Sequence, residues 1–366
     1  MTLQSKLDHF QVDPEYGFLP SYTPSRRLPP AFEAWEKASE QLSAALRDQK
    51  ARQLMEAIPL LSPVNLSERA DQERALLLVA AFSHAWLKET QEKSIPPQLA
   101  IPFAAMAQKM GRPSIITHSS MVLNNWHKKD PHGPFTMDNL GLQRGFEQSP
   151  SESWFFLLTA MVEYEGADSL MLTLAAWDAA KQGELEQLLE KLSALPTAIN
   201  AMTQTLLRME EGCQPEVFFH QIRPYIASME AVCFEGVEEQ PIRSFSGGSA
   251  AQSSLIQALD AGLGIAHEEP DSSGYLRLMR GYMPPRHREL LSVLDDSAIP
   301  AAVQTSSQLQ EAYQACVEAI RKFRTAHLRI VSIYIVGPAR AAGQSTQGTG
   351  GTDALDFLNQ LRKDTQ

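Results

Sequence analysis

The sequence predicts an all-α protein, and three observations support that fold class. The chain is rich in Ala, Leu, Glu and Gln, which are strong helix formers. Apolar residues recur at spacings of three and four in most segments, whereas the strict alternation of a half-buried strand is scarce. With 366 residues, 43% of them hydrophobic and 20% charged, the composition is that of a globular protein able to bury a sizeable core.

The N-terminal part begins with an extended, proline-rich stretch at residues 20–30, and helices are predicted at about 31–48 and 67–91. Prolines at positions 96, 97, 102 and 113 then break the helical pattern. We therefore expect a small, mostly helical N-terminal domain at 1–110 and a large helical domain at 111–366.

Six further helical segments are predicted in the large domain. Residues 154–163 are hydrophobic on every side, which is typical of a fully buried helix. A long helical pattern over 168–208 is expected to be interrupted at Pro196, and Pro215 opens the next helix. Helices are also predicted at 249–265, directly after two glycines, and at about 307–336. A glycine-rich loop then leads into a last short helix.

Charge and cysteine content narrow the functional classes. With 32 basic and 43 acidic side chains the net charge is -11, and no basic stripe compensates for it, so nucleic acid is not an expected partner. The three cysteines are odd in number and far apart, which favours a reducing compartment. The N-terminus lacks a signal-peptide pattern, and the strongest apolar run, 154–162, is too short to span a bilayer. We expect a cytoplasmic protein that does not enter membranes.

Common catalytic motifs are incomplete. No CxxC or HExxH pattern occurs, and the Gly-Gly-Ser-Ala-Ala run at 247–251 lacks the final glycine of a nucleophile elbow. The glycine-rich segment 348–352 lacks the lysine of a phosphate-binding loop, and motif evidence alone favours a mobile linker there.

One histidine is notable for its position in the predicted helix at 307–336. His327 lies four residues after Phe323 and three before Ile330, on the apolar face of that helix. A buried imidazole usually satisfies its nitrogens with a backbone carbonyl and a hydroxyl. The alternative is that His327 binds haem iron, because a rigid helix facing an apolar pocket suits a single neutral imidazole ligand with the sixth position open to a gas.

A second candidate site lies on the helix after Pro215. Phe219 and Arg223 are four residues apart and face the same way, next to Phe218. A guanidinium beside aromatic rings suits a planar aromatic ligand that carries a carboxylate. The alternative is an arginine whose stem packs on phenylalanine while its head reaches solvent.

Several segments together resemble the indoleamine 2,3-dioxygenases, the haem enzymes that open the indole ring of tryptophan. The matching stretches are FSGGSAAQSSLIQALDAGLGI (245–265), RGYMPPRHRELL (280–291), EAYQACVEAIRKFRTAHLRIVSIYI (311–335) and GTGGTDALDFLNQLR (348–362). Weaker likeness in YGFLP (16–20), VLNNWHKKDP (122–131) and WFFLLTAMVE (154–163) extends the resemblance over nearly the whole chain.

The resemblance implies roles for specific residues. His327 matches the proximal ligand of the haem iron, and Arg324 with Asp260 matches an ion pair that supports the haem surroundings. The positions that match substrate contacts are Phe155, Thr159, Phe218, Phe219, Arg223 (on the substrate carboxylate), Gly248, Ser249 and Ala250. Thr349, with Gly348, Gly350 and Gly351, matches a loop that closes over the bound amino acid, so the resemblance predicts a lid where motif evidence favours a linker.

Two positions depart from the animal enzymes of the family. Thr159 replaces a serine, and its methyl group narrows the expected pocket. His118 replaces a tyrosine and could accept a hydrogen bond from the indole N–H, although a solvated helix histidine is an equal alternative. Both departures concern substrate preference more than reaction class.

The resemblance implies haem b in its ferrous form, with L-tryptophan or a related indole and O2 as substrates, a reductant, and a monomeric enzyme without acid–base catalytic residues. The expected product is N-formylkynurenine. Two alternatives remain at this point: a haem enzyme of the same family that acts on a modified tryptophan in secondary metabolism, and a haem-binding protein without turnover.

Overall fold

The predicted all-α class is confirmed by the computed structural model, which describes residues 2–239, 241–267, 270–346, 348 and 354–365. Helices form most of the described chain. In chain order they are α1 Leu7–Phe10, α2 Glu33–Arg47, α3 Ala51–Glu56, α4 Arg69–Thr90, α5 Pro97–Met110, α6 Pro150–Glu165, α7 Ala167–Gln182, α8 Leu185–Leu207, α9 Met209–Gly212, α10 Pro215–Val217, α11 Ser254–Leu263, α12 Pro270–Arg280, α13 Pro285–Leu294, α14 Ile299–Ala302, α15 Ser307–Val331, α16 Gly337–Ala341 and α17 Ala354–Asp364.

The strands are short, and Ile95 and Phe234 from two of them are fully buried in the core. The strands are β1 Ser94–Ile95, β2 Trp126–Lys128, β3 Leu140–Leu142, β4 Met229–Phe234 and β5 Ile242–Phe245. β4 pairs in parallel with β1 and antiparallel with β5, and β2 and β3 form a separate antiparallel pair. In the part of the chain that the structure describes, no helix is both long and apolar enough to cross a membrane.

Two large apolar clusters make up the interior. The first is formed by α2, α4 and α5 together with parts of α6 and the segments around Phe218 and Phe234. The second is formed mainly by α7, α8, α11, α13 and the first half of α15. The first cluster contains residues from both sides of position 110, and the domain boundary predicted there stays a prediction.

The expected interruption at Pro196 is wrong. α8 continues through Pro196, and the helical pattern breaks instead at Gly183, which ends α7 in the left-handed conformation with φ of 74°. A proline within a helix leaves the carbonyl four residues earlier without its N–H partner. That carbonyl, on Leu192, is 3.1 Å from the Cys316 thiol of α15, which shares its one hydrogen between Leu192 and the Ala312 oxygen at 3.2 Å, so the packing of α15 against α8 gives the carbonyl a partner.

The α15 face predicted from spacing is confirmed, since Leu309, Cys316, Ile320 and Phe323 are buried. Beyond Val331 the helix widens into a π turn at Ser332–Val336. Two further π turns occur at Ser119–Leu123 and Phe218–Ile222. π turns are rare in proteins overall, but those that occur are often found at functional sites.

The predicted helix at 249–265 is divided. A short 3-10 turn at Ala250–Gln252 comes first, and α11 follows after Ser253, which has an extended backbone with ψ of 126°. The side chain of Ser253 points to Glu163 on α6.

Candidate functional site

Two cavities meet at His327, in the last turns of the long helix α15. The first has a volume of about 840 Å³ and the second about 820 Å³, each including its open mouth. His327 lines both, as do Ala250 and Ala251 from the loop before α11 and Phe357 and Leu358 from α17. Cavities of this size accommodate organic ligands of several rings.

The His327 ring has the properties of a free metal ligand. Among the described residues, none makes a hydrogen bond to either of its nitrogens, so the pairing with a carbonyl and a hydroxyl expected of an ordinary core histidine is not observed. Burial lowers the pKa of His327 to about 4, which keeps the ring neutral at physiological pH. A neutral imidazole with an unshared nitrogen can coordinate iron.

A buried ion pair lies one helical turn before His327. The Nη2 atom of Arg324 donates to Oδ2 of Asp260 on α11 at 2.5 Å, and Nη1 donates to the hydroxyl of Thr365 beyond α17. Burial by itself would raise the pKa of Asp260, but Arg324 and His267 outweigh it and hold that pKa below its usual value. The pair therefore ties α11, α15 and the C-terminal helix together at the wall of the first cavity.

Aromatic rings form the wall of the second cavity. Phe155 on α6 packs against Phe218, in the π turn at Phe218–Ile222, with ring centroids 4.6 Å apart. Phe218 in turn meets Tyr334 edge-on at 5.9 Å. The hydroxyl of Tyr334 donates to the backbone oxygens of Met209 and Cys213, at 3.0 and 2.6 Å, which fixes the ring. The structure thus brings Phe155, Phe218 and His327 together.

Phe219 and Arg223 lie next to these rings but do not line either cavity. Phe219 is buried, and the Arg223 guanidinium carbon is 5.1 Å from its ring centroid. Burial lowers the pKa of half-buried Arg223, although the side chain stays cationic. Carboxylate binding by Arg223 and substrate contact by Phe219 stay predictions.

The loop before α11 forms the wall between the cavities. A side chain at Gly247 would come within 2.5 Å of the Ile226 carbonyl oxygen, so only glycine permits this close approach of two backbone segments. Gly248 then donates its N–H to that oxygen at 2.9 Å. Gly248, Ser249 and Gly348 line the second cavity. Thr349, Gly350 and Gly351 of the predicted lid lie outside the described residues.

His118 and Thr159 both line the first cavity. His118 is buried, with 8% of its surface exposed, and its Nε2 is 2.8 Å from Oε1 of Glu163. The Thr159 hydroxyl donates to the backbone oxygen of Phe155. Sequence reasoning missed Glu163 and its second partner Ser253, although a charged residue at the end of an otherwise apolar helix was a usable signal.

Comparison with known proteins agrees with this geometry. The family model for indoleamine 2,3-dioxygenase matches residues 6–366. The chain is 31% identical to indoleamine 2,3-dioxygenase 1 of Rattus norvegicus, with 98% of this chain and 95% of that protein covered. It is also 31% identical to indoleamine 2,3-dioxygenase 2 of Mus musculus (100% and 96% covered) and to 6-hydroxytryptophan 2,3-dioxygenase of Fusarium equiseti (99% and 97% covered). A match of this extent, over a chain whose cavities converge on one unpartnered imidazole, means that the protein belongs to the indoleamine 2,3-dioxygenase family of oxidoreductases.

Proposed function

We propose that this protein is a haem-dependent dioxygenase that inserts both atoms of O2 across the indole C2–C3 bond of L-tryptophan, or of a close indoleamine, to give N-formylkynurenine. The observation that carries the proposal is the meeting of two cavities at His327, whose ring nitrogens make no hydrogen bond to the described residues. The family is haem-dependent. The donor present, one neutral imidazole on a rigid helix in a largely apolar surrounding, fits haem b in its ferrous form.

Three side chains would hold the cofactor. His327 would bind the iron, and the buried pair of Asp260 and Arg324 would keep α15 from shifting or rotating, which is the task of residues that orient a metal ligand. When bound, haem would supply the electronic step by which triplet dioxygen reacts with a closed-shell indole.

The remaining proposed residues bind and orient the substrate. Phe155 and Phe218 would hold the flat indole ring, and the backbone at Ser249 and Ala250 would close the cavity beside it. Phe219 would pack behind these rings, and Arg223 would bind the substrate carboxylate. Thr349 and the glycines at 348, 350 and 351 would form a lid that excludes water.

Other properties follow from the same proposal. The activity requires a reductant that keeps the iron ferrous. We also propose that the enzyme is a monomer, as the family resemblance implies. We further propose that the enzyme acts in the cytoplasm.

A second candidate substrate is a modified tryptophan. The relative from Fusarium equiseti is named for 6-hydroxytryptophan, and His118 and Thr159 line the first cavity of this chain where the family's animal enzymes have tyrosine and serine. The two substrates differ in ring substituents, so a direct comparison of kcat/KM for tryptophan and 6-hydroxytryptophan separates them.

The test of the reaction is isotopic. The reduced holoenzyme is supplied with L-tryptophan and a mixture of ¹⁶O₂ and ¹⁸O₂, and the N-formylkynurenine is examined by mass spectrometry. We expect product molecules with two labelled oxygens or none, because both atoms come from one O2. Product with one labelled atom per molecule would contradict the proposal, and haem binding without any product would favour the non-catalytic alternative.

A further inference from the structure

A hydrogen-bonded group of three side chains lies on the wall of the first cavity. Oε1 of Glu163 is 2.8 Å from Nε2 of His118 and accepts the hydroxyl hydrogen of Ser253 at 2.6 Å. The His118 backbone N–H donates to Oε1 of Gln252 at 3.0 Å. All four residues are buried, and hydrogen bonds from α6 and from the loop before α11 hold His118, which directly precedes the π turn at Ser119–Leu123, in one orientation.

This arrangement fixes which nitrogen of His118 carries the hydrogen. A carboxylate oxygen only accepts hydrogen bonds, so Nε2 must donate to Glu163, and in a neutral ring Nδ1 is then an acceptor. No described residue makes a hydrogen bond to Nδ1, and it is not among the fully enclosed polar atoms. By contrast, Oε2 of Glu163 is fully enclosed, so a ligand would reach His118 rather than Glu163.

Most other hydrogen-bond donors on this wall are already committed, and the remaining acceptor that the variants below must separate from His118 is the Thr159 hydroxyl oxygen. The hydroxyl hydrogens of Thr159 and Ser253 are donated to Phe155 and Glu163, and Arg324 is bound to Asp260. The amide of Gln257 donates to the backbone oxygens of Ala251 and Leu276 and accepts from Arg280. With His327 assigned to iron, His118 Nδ1 is the ring nitrogen that the first cavity offers to a ligand.

We propose that Glu163 is a positioning residue, which with Ser253 holds His118 in the tautomer whose Nδ1 accepts a hydrogen bond from a ring N–H of the substrate. The inference rests on the proposed function, and it identifies the recognised feature as an N–H donor at the edge of a planar bicyclic ring. An isosteric ring with oxygen in place of N–H leaves Nδ1 without a donor and is disfavoured.

The test compares the affinities of two ligands and does not depend on turnover. L-tryptophan and its benzofuran analogue, which has the same shape but lacks the N–H, are titrated into the holoenzyme, and each Kd is obtained from the change in the haem absorption spectrum. We expect the wild type to prefer tryptophan by about tenfold, the contribution of one neutral hydrogen bond. His118→Phe and Glu163→Gln should each bring the ratio of the two Kd values towards one. A purely structural role would weaken both ligands equally and leave the ratio unchanged.

Two further variants make the result specific. Thr159→Val tests the competing acceptor, because the Thr159 hydroxyl donates its hydrogen to the backbone but keeps lone pairs that could accept a ring N–H. If His118 is the recognising group, this variant should keep the ratio. Glu36→Gln is the matched control, because Glu36 is an equally buried carboxylate, bound to Arg74, that lines neither cavity. It should keep the ratio even though it lowers stability.

The inference is overturned if the wild type binds both ligands equally, if His118→Phe keeps the ratio, or if Thr159→Val alone abolishes it. If Glu163→Gln keeps the ratio while His118→Phe loses it, the positioning role of Glu163 is wrong. A preserved ratio together with a failed oxygen-labelling experiment would reject the proposed reaction and leave this inference intact.

Discussion

The two cavities that meet at His327 are built differently. The first carries the polar side chains of His118, Glu163, Asp260 and Arg324, all of them in hydrogen-bonded pairs. The second is bounded by the aromatic rings of Phe155, Phe218, Tyr275, Tyr334 and Phe357, and no charged side chain is among its described lining residues.

Under the proposed function, the Asp260–Arg324 pair of the first cavity would support the cofactor, while the aromatic rings of the second cavity and His118 of the first would contact the substrate. Buried charges are tolerated when they are paired, and a pair that links several helices also fixes their positions. Aromatic rings give a wide apolar surface with little conformational freedom to lose. We therefore expect changes to the Asp260–Arg324 pair of this polar wall to affect the fold and the cofactor together, and changes to His118 or to the rings of the aromatic wall to affect ligand binding more selectively.

The largest effect on stability should come from the polar wall. Asp260→Asn leaves the buried Arg324 without its anionic partner, and breaking such a pair costs about 3–5 kcal/mol. Urea denaturation should show this loss together with reduced haem retention. Glu36→Gln, which breaks the buried pair with Arg74, should lower the free energy of unfolding comparably and leave haem retention of the folded protein unchanged. Equal haem loss in both variants would contradict a special role of the cavity pair.

Phe218→Ala tests the aromatic wall. Removing a buried phenylalanine costs about 3–5 kcal/mol, and we expect about 3 because one side of this ring already faces a cavity. The affinity for tryptophan should fall as well. Phe146, which is stacked on Tyr225 at 4.5 Å and lines neither cavity, is the control. If Phe146→Ala weakened tryptophan binding to the folded holoenzyme as strongly, the assignment of the aromatic wall would be wrong.

Low pH should destabilise the protein through buried histidines that line neither cavity. This general loss of stability has to be known before effects of pH on the two cavities can be compared. Burial lowers the pKa of both His84 and His287 to about 3. Below about pH 6.5 each of these histidines binds a proton in the unfolded chain but not in the folded chain. The free energy of unfolding is therefore highest above that pH and falls as the pH decreases. Between pH 7 and pH 5 each histidine should cost about 2 kcal/mol.

The variant His84→Gln measures the contribution of one buried histidine to this pH dependence. The glutamine oxygen can still accept the N–H of Ile116, which His84 Nε2 accepts at 3.1 Å. The slope of unfolding free energy against pH should therefore decrease by about 1.4 kcal/mol per pH unit, the value for one proton. An unchanged slope would show that His84 is not neutral in the folded state.

The smallest effect on the fold is expected at Arg223. Arg223→Ala should reduce kcat/KM for tryptophan by about 10- to 100-fold, the usual loss for a charge-assisted contact to a carboxylate. Thermal stability should change little, because Arg223 is only half-buried. Native kcat/KM in this variant would place carboxylate recognition elsewhere in the molecule.

Local patterns predicted much of the fold and part of the site. The apolar face of α15 was visible from spacing, and His327 was visible as the polar residue on that face. The continuation of α8 through Pro196 was not, because it depends on a thiol of α15 that is distant in sequence. The network of His118, Glu163 and Ser253 joins three separated segments, and no local pattern relates them. Residue roles came from the family resemblance rather than from spacing.

We propose that His327 is the one residue of this chain that binds the haem iron. The most direct test is the absorption spectrum of reduced, CO-treated His327→Gly protein, with and without added imidazole, beside His84→Gln as the control. We expect His327→Gly to lack a Soret band, imidazole to restore it, and His84→Gln to retain haem fully. A His327→Gly protein that keeps one haem per chain without imidazole would contradict the account.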